Sequence, residues 1–334
     1  MANKPTLIVI TPVRNEAWVL EAFLTHCSSW ADHIIVADQH STDGSREICA
    51  RFPKVTLIDN PTQEWVEHEC RARLLEEAQR IPGDKIVFGL DADEFLSDGF
   101  EKTEGWRRIM ESKPYEMFAL RWFNLYGDLQ HGMVEGGGAE WIAHYSGDTD
   151  FTSYYREHER HAVHCQRVPS IENEEFKWIL IEDIRFIHLG SLNLRRVRNK
   201  LDFYQVVNID KQPVKAKPIS MYRTYTDMLG VKAPKLDAPV HLCTLDSQAD
   251  LSQLLRSADN GQHYIDEMVA IFRREGIEKF LTLCIWDNPD LQKAGMVVKP
   301  PLPIRLMHRY LRATQPYHNT FLIKTIDKIL KRLF

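Results

Sequence analysis

Short uncharged runs recur through the first third of the chain, and each is cut off by polar residues. Leu7 to Ile10 is stopped by Thr11-Pro12, His33 to Ala37 by Asp38-Gln39-His40, and Val55 to Ile58 by Asp59-Asn60. Ile86 to Leu90 is stopped by Asp91-Ala92-Asp93-Glu94. Runs this short and this apolar predict strands buried on both faces. Between them the period changes to that of a helix. Leu20, Phe23, Leu24 and Cys27 share a stripe over about Glu16 to Ser28, and Ile48 and Phe52 point inward from a shorter helix. Val66, Cys70, Leu74, Ala78 and Ile81 share a stripe over Glu64 to Ile81, which ends at Pro82-Gly83-Asp84. Strand alternating with helix predicts an α/β fold with a mostly parallel sheet, right-handed crossovers and flanking helices.

Beyond the fourth run the pattern loosens. Phe118 to Tyr126 alternates as a strand, and Glu135-Gly-Gly-Gly-Ala-Glu140 reads as a lid or a surface loop. Ile179 to Gly190 is strand material ending at His188, and Asn193 to Val207 is helical. Lys211 to Pro218 reads as a linker, which predicts domains at 1–210 and 211–334, the second mainly helical. Helices are expected over Asp250 to Gly276, Ile304 to Leu311 and Thr320 to Phe334. In the last, Leu322, Ile326, Ile329, Leu330 and Leu333 oppose Lys324, Lys328, Lys331 and Arg332. That is the pattern of any terminal helix docked on a core, and also of a basic helix lying on a membrane.

Composition narrows the class. The 334 residues are 44% apolar and 27% charged, as in ordinary globular proteins. A net charge of −5 offers no basic footprint for nucleic acid. Six cysteines without a C-x-x-C pair fit a reducing cytoplasm rather than a disulfide framework. No signal peptide is visible, and no run reaches the length of a membrane span.

The chemistry gathers where strands end. In an open α/β sheet, ligands bind at the carboxyl ends of the strands. The first carries Arg14-Asn15-Glu16, the second Asp38, and the fourth Asp91 and Asp93, whose i, i+2 spacing lets a turn aim both at one point. Hard oxygen ligands so placed suit Mg²⁺ or Mn²⁺ held with substrate phosphates, although a surface turn would also tolerate them. His158, His161 and His164 recur every three residues, but a zinc site would want a fourth ligand and a tighter frame. No G-x-G-x-x-G follows the first strand and no G-x-x-x-x-G-K-[ST] is present, which disfavours dehydrogenase and P-loop readings. A phosphatase-like nucleophile at Asp91 would need lysine and threonine partners in a motif that is missing.

Three blocks, Thr11-Pro-Val-Arg-Asn-Glu16, Ala37-Asp-Gln-His-Ser-Thr-Asp-Gly-Ser45 and Asp91-Ala-Asp-Glu94, resemble in order and spacing the family 2 glycosyltransferases of the GT-A fold. The resemblance is close over Leu7 to Asn124 and looser over Tyr155 to Tyr204. It implies a metal-dependent, inverting transfer from a nucleoside-diphosphate sugar to a glycan or lipid-linked acceptor, as in polysaccharide biosynthesis. It implies that Thr11, Pro12, Arg14, Asn15, Glu16 and Asp38 hold base and ribose, with Arg71 facing the nucleotide and Lys200 near the phosphates. Many members carry tandem acids where this chain has Asp38-Gln39. Asp91, shared with the ribose, Asp93 and His188 would hold Mn²⁺ or Mg²⁺. The catalytic base would be Asp183, in Glu182-Asp183, or Glu159. A non-catalytic nucleotide-sugar or glycan-binding module with the same fold would carry most of these residues too. Cysteine usage points to a cytoplasmic location, and the last helix leaves peripheral contact with the membrane open beside plain core packing.

Overall fold

The structure is a computed structural model that describes residues 4–60, 67–158, 165–171, 176–211, 217–230, 233–237, 240, 254 and 260–334. Its contacts divide the chain into two compact units, Met1–Leu192 with Ala233–Ala258, and Asn193–Lys232 with Asp259–Phe334.

The first unit is built on one sheet in the order β3-β2-β1-β4-β7-β6-β8-β5. The strands are β1 (Thr6–Val13), β2 (His33–Asp38), β3 (Val55–Asp59), β4 (Lys85–Gly89), β5 (Glu94–Leu96), β6 (Glu116–Leu125), β7 (Gly132–Tyr145) and β8 (Lys177–His188). Helices α1 (Ala17–Trp30), α2 (Ser45–Cys49), α3 (Glu67–Arg80), α4 (Glu104–Met110) and α5 (Phe151–His158) connect or flank them. β1 pairs in parallel with β2 and with β4, and β2 with β3. These strands are the apolar runs of the sequence, and β1, β2 and β4 are buried on both faces because helices cover them. One core, with Phe23, Leu24 and Trp30 of α1 against Phe88, lies on one side of the sheet. Another, with Cys70, Leu74 and Ala78 of α3 against Ile8 and Ile35, lies on the other. The fold is the mixed α/β, Rossmann-like GT-A arrangement expected from the sequence.

The order 3-2-1-4 puts the reversal of strand order between β1 and β4, where such sheets open a crevice at their carboxyl ends. The second half of the sheet is largely antiparallel, through β4–β7, β7–β6 and β5–β8. The glycine-rich segment 135–140, expected as a lid or loop, runs inside β7 opposite β6. The register shifts there, between Phe118 and Ala119 and between Arg121 and Trp122. Glycines inside a strand commonly mark such bulges.

The second unit is helical: α6 (Leu194–Lys211), α7 (Pro218–Gly230), α8 (Gln262–Glu275), α9 (Pro289–Lys293), α10 (Leu302–Thr314) and α11 (Phe321–Leu330). Helix α6, read as part of a 1–210 domain, counts with this unit. Ile219 and Tyr222 of α7 pack with Cys284 and with Met307 and Leu311 of α10. Arg223 is buried in the same place and holds Asp327 of α11 with two hydrogen bonds, at 2.9 and 3.0 Å. Five cysteines are free and buried, and Cys243 lies outside the described residues.

Candidate active site

The carboxyl ends of β1 and β2 are joined by a web of short hydrogen bonds. Val13 stands beside Asp38 in the β1–β2 register. The chain then turns through Asn15, which takes a left-handed conformation with φ of 55°. Asparagine tolerates that conformation better than most residues. The turn lets the Asn15 amide donate to Ser41 Oγ at 2.9 Å while its Oδ1 accepts from the Thr42 amide at 2.8 Å. The amides of Glu16 and Ala17 donate to Ser45 Oγ and Asp43 Oδ2. Glu16 Oε2 accepts from the Trp18 indole. Thr11 is fully buried, and Pro12 and Arg14 are half-buried beside it. The block Ser41 to Ser45 thus shapes the turn after β1.

Asp38 is buried, with 1% of its surface exposed. Its Oδ2 accepts from the Ser41 amide at 3.2 Å and from Arg46 at 2.8 Å. Its Oδ1 has no partner among the described residues. A buried carboxylate oxygen without a donor is costly, and an N–H or O–H donor from a ligand or a water would complete it.

At the end of β4 the acids are clamped by arginines. Arg71, from α3, donates to Glu67 at 3.1 Å and to Asp91 Oδ1 at 2.9 Å. Arg167 donates to Asp91 Oδ2 at 2.6 Å, to both oxygens of Glu94, and to the Gly89 carbonyl at 3.3 Å. Its guanidinium lies 3.5 Å from the centroid of the Trp141 ring. Arg167 can pass this close to β4 because Gly89 has no side chain: a Cβ there would come within 2.8 Å of the Arg167 Cβ. Glu94 is fully buried. Burial pushes its carboxyl above the usual range, opposed by Arg167. Glu94 also accepts from the Asp91 amide, which fixes the turn of Asp91-Ala-Asp-Glu94.

Asp93 faces β8. Its carbonyl accepts from the Leu189 amide, and its Oδ2 lies 3.4 Å from His188 Nε2. Strand register makes the meeting possible: His188 stands beside Glu94 of β5 on one side and Asn124 of β6 on the other. The Asn124 side-chain oxygen takes a hydrogen bond from His188 Nδ1. An amide oxygen can only accept, so Nδ1 is the donor in this contact, and Nε2 is the ring atom that faces Asp93. The Trp122 ring lies 4.7 Å from the imidazole, centroid to centroid.

Asp93, Glu94 and His188 each offer one ligand atom, all within 4.8 Å of one another. Two carboxylates and an imidazole are a donor set for Mn²⁺ or Mg²⁺. Gly190 keeps the approach open: a Cβ there would lie 2.5 Å from His188 Nε2 and 2.8 Å from Asp93 Oδ2. The residues therefore fit a divalent cation.

The structure brings Asp93 and His188 together and sets Asp91 next to them, with both its oxygens held by Arg71 and Arg167. It does not bring Asp183 there. Pairing of β6 with β8 jumps from Leu120–Ile181 to Arg121–Arg185, so Glu182, Asp183 and Ile184 bulge out of the ladder. Asp183 Oδ2 accepts from the Gly105 amide in the first turn of α4 at 3.0 Å, and Glu182 pairs with Arg121. Five strand residues, roughly 16 Å, separate Asp183 from His188. Glu159, His161 and His164 lie outside the described residues, and Glu157 is exposed on α5. Lys200 is in the second unit, its ammonium 5.9 Å from the centroid of the Tyr204 ring.

Three residues of the site were not singled out from the sequence. Glu94 stood in plain view beside Asp93. Asn124 is a polar residue near the end of a buried strand, the same signal that exposed Asp91. Arg167 follows a stretch with no strand or helix pattern, and nothing in its spacing marks it.

Residues 8–113 match the family model described as Glycosyl transferase family 2, a segment that contains all three blocks of the resemblance. The matched segment runs from β1 through α4. No curated protein sequence matches the chain. Among solved structures, 4-diphosphocytidyl-2C-methyl-D-erythritol synthase is similar at 14% identity, over 47% of this chain and 86% of that one, with a TM-score of 0.31. Glucosyl-3-phosphoglycerate synthase from Mycobacterium tuberculosis, in complex with phosphoglyceric acid, is similar at 19% identity, over 38% and 46%, with a TM-score of 0.29. The inositol-1-phosphate CTP transferase from T. maritima is similar at 6% identity, over 57% and 91%, with a TM-score of 0.34.

Proposed function

We propose that the protein is a metal-dependent, inverting glycosyltransferase that moves a hexose from a nucleoside-diphosphate sugar to a glycan or lipid-linked acceptor. The observation that carries this reading is the convergence of Asp93 Oδ2 and His188 Nε2 beside the clamped Asp91. Asp38 takes a base or ribose donor on its unpartnered Oδ1, and the turn Arg14 to Glu16 forms the wall of the same pocket. Arg71 and Arg167 hold Asp91 rigid, so that it can meet the ribose without reorganising. Asp93 and His188, with Glu94 behind them, hold Mn²⁺ or Mg²⁺. When bound, the cation supplies Lewis-acid stabilisation of the leaving diphosphate.

In the transfer, the acceptor oxygen attacks the anomeric carbon as the bond from that carbon to the diphosphate oxygen breaks. The hydroxyl proton passes to a carboxylate. Inversion follows from a single displacement of this kind, and it rests on the family resemblance. Asp183 is occupied with α4, so Glu159 becomes the first acid to test as base. The free, buried cysteines go with a cytoplasmic place of work. Contact with the cytoplasmic membrane face through α11 goes with a lipid-linked acceptor, as in polysaccharide biosynthesis.

The test is a screen of the purified protein against nucleoside-diphosphate sugars for Mn²⁺-dependent donor hydrolysis, run beside Asp93→Asn and Asp38→Ala. Turnover lost in Asp93→Asn, and nucleoside-diphosphate affinity reduced at least tenfold in Asp38→Ala, are expected. Binding without turnover of any donor would favour the binding-module reading. Absence of both would end the transferase reading.

A further inference from the structure

The last helix does not use all of its apolar surface. Ile323 and Asp327 are its buried residues, with Ile326, Leu330 and Phe334 half-buried beside them. Leu322, Ile329 and Leu333, at i, i+7 and i+11, run down an adjacent stripe and are exposed by 66%, 56% and 71%, while Phe321 at the start is exposed by 87%. The preceding helix α10 repeats the arrangement. Met307 and Leu311 are buried, while Leu302 and Leu306 face solvent. The two helices are locked to each other: Tyr310 of α10 donates to Asp327 at 2.9 Å, and Arg223 bonds both Asp327 and the Leu311 carbonyl. Exposed apolar residues on a rigid helix pair are a standing cost in water, and a concentration of this kind marks an interaction surface.

Charge selects the partner. Within 301–334 there are seven Lys and Arg residues and one acid, in a chain whose net charge is −5. That single acid, Asp327, is buried against Arg223 and offers nothing to a ligand. On α11, Lys324, Lys328 and Arg332 are exposed and Lys331 half-buried, and by helical spacing all four fall outside the apolar arc. Apolar side chains that can enter an acyl boundary, flanked by lysines whose stems can snorkel to phosphate, form the pattern of a helix that lies in a bilayer interface. No helix among the described residues is long and apolar enough to cross a membrane, so the face would rest on the bilayer.

We infer that the exposed face of α11, together with Leu302 and Leu306 of α10, docks on bilayers that contain anionic phospholipid. This deepens the membrane contact proposed with the acceptor and rests on that contact alone. Sugar transfer plays no part in its readout, so a failed donor screen would leave it standing, and a failed docking test would leave the donor chemistry standing.

The full chain is to be floated with vesicles of phosphatidylcholine alone and of phosphatidylcholine with phosphatidylglycerol. It should rise with the anionic vesicles, stay behind with the neutral ones, and be released as salt is raised. The quadruple variant Lys324→Gln, Lys328→Gln, Lys331→Gln, Arg332→Gln should partition more weakly by roughly two to three orders of magnitude. The variant Leu322→Gln, Ile329→Gln, Leu333→Gln should also detach. Every altered residue but Lys331 is exposed, so both variants should keep the parent's melting temperature, which guards against unfolding. Failure of the intact chain to float with anionic vesicles would overturn the inference, as would undiminished flotation of both variants. So would a concentration-dependent dimer, dissolved by the leucine and isoleucine changes in a chain that ignores vesicles, since the face would then belong to a second copy.

Discussion

His188 donates a hydrogen bond from Nδ1 to the side-chain oxygen of Asn124, and its Nε2 faces Asp93 Oδ2 at 3.4 Å. The pairing is set by the sheet, because Asn124 and His188 are register partners on β6 and β8. A histidine ligand oriented by an outer hydrogen bond binds metal more tightly than one that can rotate or change tautomer. Replacing Asn124 with leucine removes the acceptor and leaves the imidazole unfixed. Mn²⁺ affinity, measured by calorimetry on the protein without donor, should fall about 10- to 100-fold. Asn124→Asp restores an acceptor and should recover most of it. Affinity unchanged in Asn124→Leu would mean that the contact does not orient a ligand.

Arg167 is the arginine on which the acids of β4 and β5 depend. Glu94 is fully buried, and Arg167 is a cation that faces it. Removing one member of a buried ion pair leaves the other charge uncompensated and typically costs about 3–5 kcal/mol. Arg167→Met should therefore lower the urea midpoint by that equivalent in metal-free buffer. The double change Arg167→Met, Glu94→Gln should cost less than the sum of the two single changes. Additive losses would show that the pair is not coupled.

A second buried group makes stability depend on pH. His26 is fully buried in α1, and its Nε2 accepts from the Leu96 amide at 3.2 Å. Burial lowers its pKa from 6.5 to about 4. Between those values the unfolded chain binds the proton and the folded chain does not, so stability is full above pH 6.5 and is lost as pH falls toward 4. His26 alone should contribute a loss on the order of 3 kcal/mol across that window. Denaturation of the parent and of His26→Gln at a series of pH values isolates it, because other acid-sensitive groups are common to both. Parallel curves for the two proteins would count against the assignment.

The sequence made some parts of the site legible and hid others, for reasons that differ residue by residue. Asp38 and Asp91 were visible because each interrupts a run too apolar to continue, and a carboxylate in that place needs a purpose. The glycine-rich segment misled because glycine is common both in loops and in bulged strands, and only pairing with β6 tells them apart. Arg167 and Asn124 were hidden because their roles are set by strands distant in sequence. On α11 the apolar arc was plain, but how much of it the core covers depends on where Arg223 anchors Asp327.

The catalytic base is where sequence and geometry part most clearly. Tandem acids ahead of a strand-end histidine resemble the family pattern, yet the β8 bulge turns Asp183 onto the first turn of α4. There it does what carboxylates do at helix N-termini, accepting an amide hydrogen against the positive end of the dipole. Gly105 is suited to the contact, since a Cβ at that position would stand 2.2 Å from Asp183 Oδ1. Asp183→Asn should consequently keep most of its turnover and lose about 1 kcal/mol of stability. Glu159→Gln, assayed beside it with donor saturating, should lose kcat by about 100-fold or more while nucleoside-diphosphate and Mn²⁺ affinities stay near those of the parent. The split matters, because a residue that only supports the fold would move stability and kcat together. Collapse of kcat in Asp183→Asn, with its melting temperature intact, would return the base to Asp183 and require the β8 bulge to open during turnover. Retention of turnover by both variants would move the search to Glu157 of α5.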